Sequence, residues 1–446
     1  MQNLSGKCAS QSQPTRRGVM ALLSAMLLSA MLLSACAATQ TGSIAAAAAP
    51  ETQAALVERA QEIHRQSLVL DAHADIVLPS TSKTYLGADG LSKVDPAKLR
   101  AGGFNAVVMA VAVGPGPRTT EGRMLARAEA DAKLDAVSQM IAQDKNLALA
   151  LSPTDVEKLH ADAKTSIILG FQNARSLNGQ VDTLDQYYAA GVRLFGLNHL
   201  GHNDFSDSSR PLYIAETRSY EAAEEHGGLS PLGIAAVKRI NALGGMIDVS
   251  QMSKAATLQT IKLSRSPVVA SHSNVRNLSN VSRNLSDEEI DLIAEKGGVI
   301  HLAAFGAYLV DLSDPELLAS ILKVRRDAGL PDVYSYPYEL YWEIADPKKR
   351  QSFLRAMRAV IGPGSVDRLV DHIDYVVNRV GIDHVGIGSD FNHGGGVSGF
   401  ADASDALNVT IALVKRGYSA EQVEKIWGKN FLRVFRAAQN LADPVN

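Results

Sequence analysis

The stretch Ser67-Leu-Val-Leu-Asp-Ala-His-Ala-Asp75 begins as a short apolar run and ends in ionisable residues. Its apolar part, 67–72, does not alternate between apolar and polar positions, which is typical of a strand buried on both faces in a parallel sheet. Seven runs of the same kind follow along the chain, at 104–113, 165–171, 192–198, 244–249, 267–271, 298–302 and 384–389. The chain therefore reads as an α/β protein built on parallel strands.

Amphipathic segments typical of helices separate these runs, at 123–143, 231–243, 287–295 and 366–380. Eight strands alternating with helices favour a (β/α)8 TIM-type barrel over residues 51–446, with an open α/β sheet as the alternative. A hydrophobic content of 46% supplies enough apolar residues for a large core. The formal net charge of −3 shows no basic excess, so no nucleic-acid partner is expected.

Residues 1–36 have the layout of a secretory signal. Lys7, Arg16 and Arg17 precede an uncharged apolar stretch at 18–35, and the segment closes on Leu33-Ser-Ala-Cys36. This ending resembles the lipobox of bacterial lipoproteins, in which the cysteine is lipidated and becomes the first mature residue. We expect lipidation at Cys36 and a location on the periplasmic side of a bacterial membrane. The alternative is a transmembrane anchor, although the stretch is barely long enough to span a bilayer.

The segment 37–50 is rich in Ala, Thr, Gly and Ser and is predicted to be a flexible tether. The cysteines of the chain are Cys8 and Cys36. Cleavage before Cys36 leaves the folded domain without a further cysteine, which excludes disulfides and cysteine-ligated metals there.

An insert at about 304–363, between the seventh and eighth runs, is long for a connection in such a barrel. It carries clustered aromatic residues, namely Tyr334, Tyr336, Tyr338, Tyr341 and Trp342. They fit either a lid whose aromatics face a ligand or a helical satellite that packs them internally. The second interpretation is favoured slightly, because clustered aromatics usually bury one another.

Polar residues stand where four of the predicted strands end. His73 and Asp75 follow the first, His199 the fourth, His272 the sixth and Asp390 the eighth. An imidazole and a carboxylate two residues apart point the same way and suit a divalent cation such as zinc. Because barrel chemistry sits at the carboxyl ends of the strands, four such endings together predict a functional site.

Several longer motifs carry a family resemblance. These are 71–75, Gly191-Val-Arg193 with Asn198, His199 and Asn203, 244–250, Ser271-His-Ser273 with Ser282-Arg-Asn284, Gly381-Ile-Asp-His-Val-Gly-Ile-Gly-Ser-Asp-Phe391, and Asn430-Phe-Leu-Arg-Val-Phe435. In order and spacing they resemble the renal (membrane) dipeptidase family over nearly the whole chain after the tether. The resemblance implies a barrel of the metal-dependent hydrolase kind and zinc dipeptidase chemistry. In that chemistry two zinc ions share a glutamate, polarise the scissile carbonyl and supply a metal-bound hydroxide.

Matched residue by residue, the resemblance makes His73 and Asp75 ligands of the first zinc, and His272 a ligand of the second. His199 matches the histidine that contacts the substrate near the scissile bond. Arg283 matches the residue that binds the C-terminal carboxylate of a dipeptide, for which a planar guanidinium is well shaped. Asp390 matches the catalytic carboxylate that passes protons to the leaving amine.

Two metal ligands of the family are replaced in this sequence. Gln172 stands where the bridging glutamate is expected, and Gln251 stands where the second zinc has another histidine. Asn392 replaces an aspartate of many members. An uncharged amide is a poorer zinc ligand than carboxylate or imidazole. We therefore expect a degraded dinuclear site that holds zinc at one position or not at all.

Three functions remain open from the sequence. The first is a peptide-binding protein with lost or weak hydrolysis, which holds a dipeptide or short peptide and presents it to a periplasmic peptide-modifying enzyme. The second is an active zinc metallodipeptidase. The third is a related reaction at one metal, such as lactone or amide cleavage. The sequence is also compatible with a homodimer.

Overall fold

A computed structural model describes residues 52–214 and 216–444, apart from the side chain of Trp342. The signal segment, Cys36 and the tether lie outside the described residues. Eight parallel strands form the central sheet: β1 Leu70–Asp75, β2 Ala106–Ala112, β3 Thr165–Gln172, β4 Val192–Gly196, β5 Met246–Asp248, β6 Val269–Ala270, β7 Val299–Ala303 and β8 Val385–Gly388. Each predicted strand is present, and the predicted (β/α)8 TIM-type barrel is confirmed.

The strands pair in chain order from β1 to β8. The last strand returns to the first just beyond its end, where the Asp390 N–H donates to the His73 carbonyl at 3.0 Å and the Asp75 N–H donates to the Phe391 carbonyl at 2.9 Å. These bonds close the sheet into a barrel and place the residues that follow β8 against the end of β1.

The first strand lies closer to the C-terminus than the sequence predicts. The prediction places it at 67–72, whereas it runs from Leu70 to Asp75 and pairs Asp75 with Ala110 of β2. Asp71 remains inside the strand because its neighbours satisfy it: the Ser389 N–H donates to Asp71 at 2.7 Å. His73 and Asp75 are thus fixed by strand geometry rather than by a loop.

Three short strands were not anticipated. Leu147–Leu149 pairs in parallel with the start of β3, and Tyr213–Ile214 pairs antiparallel with Ser219–Tyr220. Strands of two or three residues give too little pattern to be read from sequence.

Helices precede the first strand, lie between the barrel strands and in the insert, and follow the last strand. Their bounds are Gln53–Gln66, Pro96–Ala101, Thr120–Gln143, Pro153–Ala161, Thr183–Ala189, Pro231–Leu243, Lys254–Leu263, Asp287–Glu295, Gly306–Leu309, Pro315–Ala328, Pro347–Ile361, Val366–Val380, Ala406–Lys415, Ala420–Glu424 and Asn430–Asn440. Three of the four predicted helices have these bounds, and the fourth begins at Thr120, where the Thr119 side chain caps it. Across the described ranges, no helix has the length and apolar character needed to cross a membrane.

The barrel interior is closed at the amino ends of the strands. Leu70, Val108 and Ile168 from the strands pack in one buried cluster with Phe431 and Phe435 of the C-terminal helix. Because apolar side chains fill that end, the polar residues collect at the opposite, carboxyl end.

The insert packs a small core of its own. Buried Ile321, Phe353 and Met357 form it, and Tyr334, Tyr338 and Tyr341 pack around them. Tyr336 belongs to a separate cluster with Tyr308. The insert also reaches the loop after β1, since the hydroxyls of Tyr341 and Tyr85 lie 2.9 Å apart. Most of its aromatics therefore bury one another, whereas Tyr336 faces the site described next.

Candidate functional site

Seven residues singled out from the sequence meet at the carboxyl end of the barrel. His73 and Asp75 end β1, Gln172 ends β3, and the others follow β4, β5, β6 and β8, namely His199, Gln251, His272 and Asp390. All are buried. Parallel strands deliver their carboxyl ends to one rim, which is why residues so distant in sequence converge.

His73, His272 and Asp390 form a group that fits one cation. Each offers a ligand atom, and these atoms all lie within 4.8 Å of one another. The His73 and His272 rings stack with centroids 3.8 Å apart. His73 Nε2 lies 3.3 Å from Asp75 Oδ1, yet both atoms are buried without a hydrogen-bond partner. Buried polar atoms are normally satisfied, so this pair indicates room for a ligand that both would contact.

The tautomer of His272 follows from its neighbours. The Ser271 hydroxyl donates to Asp248 Oδ2 at 2.5 Å and lies 2.7 Å from His272 Nδ1. Since that hydroxyl proton is already used, His272 Nδ1 carries the proton and donates to Ser271. The lone pair is then on Nε2, the atom that a metal would need. Burial holds the pKa of His272 well below its usual value, which keeps the ring neutral.

Both replacing glutamines contact this lone pair. The side-chain nitrogens of Gln172 and Gln251 lie 3.3 Å and 3.1 Å from His272 Nε2. On the far side of Gln251, its oxygen accepts from Arg210 Nη2 at 3.1 Å. The two amides therefore occupy the ring nitrogen that the resemblance assigns to the second zinc.

The charge of Asp75 is balanced by a residue that the sequence did not single out. His393 Nδ1 lies 2.8 Å from Asp75 Oδ2. Burial raises the pKa of Asp75, but the charge and hydrogen bond of His393 outweigh burial and hold it well below its usual range. Burial likewise lowers the pKa of His73, but Asp75 outweighs it and raises that pKa. Asp75 is thus ionised between two imidazoles.

The pKa of Asp390 shifts in the opposite direction to that of Asp75. Burial raises its pKa, while the nearby Arg283 guanidinium opposes the rise. A buried carboxyl with a raised pKa is suited to hold and release a proton. Its backbone has a φ of 59°, in the left-handed region that aspartate tolerates better than most residues.

His199 and Arg283, the expected substrate contacts, also lie at this rim. Burial, together with His393, lowers the pKa of His199 well below its usual value, and its Nδ1 has no hydrogen-bond partner. Arg283 Nη1 donates to the His272 carbonyl, and its guanidinium lies 4.3 Å from the centroid of the Tyr308 ring. Both side chains keep nitrogen atoms free for a ligand.

A cleft of about 220 Å³ opens beside Asp75 and His199. Its walls include Asp75, Tyr85, Lys133, His199 and His393. The Lys133 ammonium is buried and donates to the Ala112 carbonyl at the end of β2. The cleft is therefore polar and charged rather than apolar.

Three of these neighbours were missed from sequence. His393 follows Asp390 by three positions, and this closeness to a predicted catalytic residue is a signal that was available. Lys133 lies inside a long helix and Arg210 in a long loop, with no strand end beside them. Nothing in their local sequence distinguishes them from surface cations.

The barrel is similar to a solved structure described as the probable dipeptidase PvdM from Pseudomonas aeruginosa. The two share 36% identity over 87% of this chain and 99% of that chain, with a TM-score of 0.75. Their likeness thus extends across nearly the whole of the described domain.

Two curated fungal relatives match over a shorter part. Dipeptidase tcpJ of Claviceps purpurea is 28% identical over 66% of this chain, and dipeptidase aclJ of Aspergillus oryzae is 29% identical over 70%. The matches span 56% and 62% of those proteins, so less than two thirds of their length is covered. The model of the membrane dipeptidases, peptidase family M19, matches residues 57–446, and the chain belongs to that family.

Proposed function

We propose that this family member binds short peptides at the mouth of the barrel and that its ability to hydrolyse them is lost or weak. The observation that carries the proposal is the pair of amides at His272 Nε2. Gln172 and Gln251 lie within 3.3 Å of that nitrogen, where a dinuclear site needs a carboxylate and an imidazole.

The charges around Gln251 support the same proposal. A bridging carboxylate offsets the repulsion between two metal ions, and a neutral amide does not. The Arg210 guanidinium contacts Gln251 directly and brings one more positive charge to that side of the site. Both features disfavour a second divalent cation beside the first.

The peptide-binding side chains are retained in a form that suits a ligand. Arg283 keeps Nε and Nη2 unpartnered, and these two nitrogens form the edge that binds a carboxylate through two hydrogen bonds. His199 is neutral and keeps a free ring nitrogen. The free C-terminus of a short peptide fits the first, and its amide group fits the second.

The second candidate is a dipeptidase that works with one zinc ion. The observation in its favour is that the predicted ligands converge: His73 and His272 belong to one buried group that fits a cation, and Asp75 Oδ1 lies unpartnered beside them. Zinc held there would supply Lewis-acid polarisation of the scissile carbonyl. Asp390, with its raised pKa, would move the proton to the leaving amine.

Metal analysis and binding measured on the same preparation separate the two candidates. After purification with excess zinc, we expect at most one zinc ion per chain, micromolar to millimolar binding of dipeptides by calorimetry, and no release of amino acids. Steady hydrolysis that disappears in an Asp390→Asn variant would favour the one-metal enzyme. Two zinc ions per chain would contradict the proposed binder.

We also propose that the domain is lipid-anchored at Cys36 on the periplasmic side of a bacterial membrane. The lipobox at the end of the apolar stretch 18–35 supports this. Growth with an alkyne-tagged fatty acid should label the wild-type chain and leave Cys36→Ser unlabelled. We further propose that the bound peptide is presented to a periplasmic peptide-modifying enzyme. If so, the purified chain should capture such an enzyme when a peptide ligand is supplied and should not capture it without the peptide.

A further inference from the structure

Two buried arginines stand side by side at the site, and only one of them has a role by resemblance. Arg283 is 2% exposed and Arg210 is 5% exposed. Both contact Tyr308: Arg210 Nη1 donates to its hydroxyl at 3.4 Å, and the Arg283 guanidinium lies 4.3 Å from its ring centroid. Arg210 lies additionally 5.1 Å from the centroid of Tyr336 in the insert.

Neither guanidinium is paired with an acid. Among residues 52–214 and 216–444, no carboxylate oxygen lies within 4.0 Å of a nitrogen of either side chain. Arg210 Nε and both Nε and Nη2 of Arg283 lack any hydrogen-bond partner. Buried charges are normally paired, because their removal from water is costly.

The nearest compensation is weak and shared. Asp390 acts on both guanidiniums at longer range, Glu339 acts on Arg210, and Asp248 acts on Arg283, while the two guanidiniums repel each other. None of these carboxylates comes close enough to pair with either guanidinium, and three of the guanidinium nitrogens have no hydrogen-bond partner. An anionic ligand would supply the missing direct partner.

We infer that Arg210 is a second anion-binding residue, and that Arg210 and Arg283 together select short peptides whose C-terminal residue is itself acidic. This inference rests on the proposed peptide-binding function. Arg283 would hold the main-chain carboxylate along its free Nε and Nη2 edge. Arg210 would hold the side-chain carboxylate of the same residue through its free Nε, since Nη1 and Nη2 are committed to Tyr308 and Gln251.

Arg210 adjoins the residues to which the peptide-binding role is assigned. It contacts Gln251, whose side-chain nitrogen lies 3.1 Å from His272 Nε2, and it shares the Tyr308 side chain with Arg283.

The test compares two dipeptides of nearly equal shape, Ala-Glu and Ala-Gln, by calorimetry with the purified chain. We expect the wild type to bind Ala-Glu about tenfold or more tightly than Ala-Gln. This is the difference in affinity that one charge-assisted hydrogen bond contributes. Arg210→Gln, which can still hydrogen-bond to Gln251, should reduce the ratio of the two affinities to about twofold or less. Arg127→Gln, at a half-exposed helix position away from the site, removes the same charge and should keep the wild-type preference.

Equal affinities of the wild type for the two dipeptides would overturn the inference and leave peptide binding intact. A preference that survives Arg210→Gln would overturn it as well. If neither dipeptide binds, the binding of glutarate, which has two carboxylates, is compared with that of butyrate, which has one, using the wild-type chain. Binding of glutarate but not butyrate, reduced by Arg210→Lys, would uphold the paired anion site and refute the peptide-binding function, whereas no binding would overturn both.

Discussion

Restoring the two replaced ligands is the perturbation that tests the site most directly. In a Gln172→Glu, Gln251→His double variant, both new groups face His272 Nε2, from which the present amide nitrogens lie 3.3 Å and 3.1 Å. Position 251 has a φ of 66°, a conformation in which histidine occurs more often than most residues. The backbone therefore accepts the change without a new strain.

The magnitude follows from burial. Residue 172 is 2% exposed, so a glutamate there is a buried carboxylate. Without a cation it should cost about 3–5 kcal/mol of unfolding free energy. Zinc at 100 times its Kd should return about 2.7 kcal/mol, because it binds the folded state alone.

The assay combines zinc content after dialysis with unfolding in the presence and absence of zinc. We expect the double variant to hold about one more zinc ion per chain than the wild type, and to gain dipeptide hydrolysis. A control with the same changes at exposed positions, Gln143→Glu and Gln53→His, should behave as the wild type. The reasoning is refuted if the double variant gains no zinc, or if the wild type already holds two ions.

Three further predictions concern binding and stability. Arg283→Lys keeps the charge but loses the two-nitrogen edge, so dipeptide affinity measured by calorimetry should fall about 10- to 100-fold, and an unchanged Kd would contradict the assigned role. Burial lowers the pKa of His372 to about 4, and its Nδ1 accepts from the Val275 N–H at 3.1 Å. The unfolded state therefore binds a proton at this histidine more readily than the folded state does. The free energy of unfolding should fall by up to about 3 kcal/mol as the pH drops from 6.5 toward 4, and in urea melts His372→Gln should reduce this dependence on pH. A Cβ on Gly388 would lie 1.9 Å from the Ser271 carbonyl oxygen, so Gly388→Ala should cost about 3 kcal/mol or more in the same melts, and a neutral result would show that β6 and β8 can separate there.

The barrel was predictable because its signals are local and repeated. Each apolar run marks a strand by itself, and the rule that parallel strands end at one rim then brings His73, His272 and Asp390 together without any coordinates. The end of β1 was misplaced because Asp71 looks like the end of a buried strand. Its charge is instead satisfied by Ser389, more than 300 positions away, and no local pattern contains that partner.

The contacts of the glutamines depend on side-chain choices that no motif encodes. The residue types alone are compatible with hydrogen bonds from Gln172 and Gln251 to each other, to His272 or to Asp75. His272 Nε2 accepts from both because Ser271 fixes the ring proton on Nδ1, and the sequence around either glutamine does not contain that information. Arg210 was invisible for a related reason: its loop has no element end to mark it, and only folding brings it to Gln251.

Together these contacts place basic side chains of the chain against the positions where the family has metal ligands. His393 contacts Asp75, and Arg210 contacts Gln251. Two losses of metal ligands would otherwise leave a buried cavity with an unbalanced carboxylate, which is costly. The substitutions at 172 and 251 and the presence of Arg210 therefore make physical sense as one set. Reverting the glutamines alone leaves Arg210 facing the second metal, so the double variant should bind zinc more tightly still when Arg210→Gln is added.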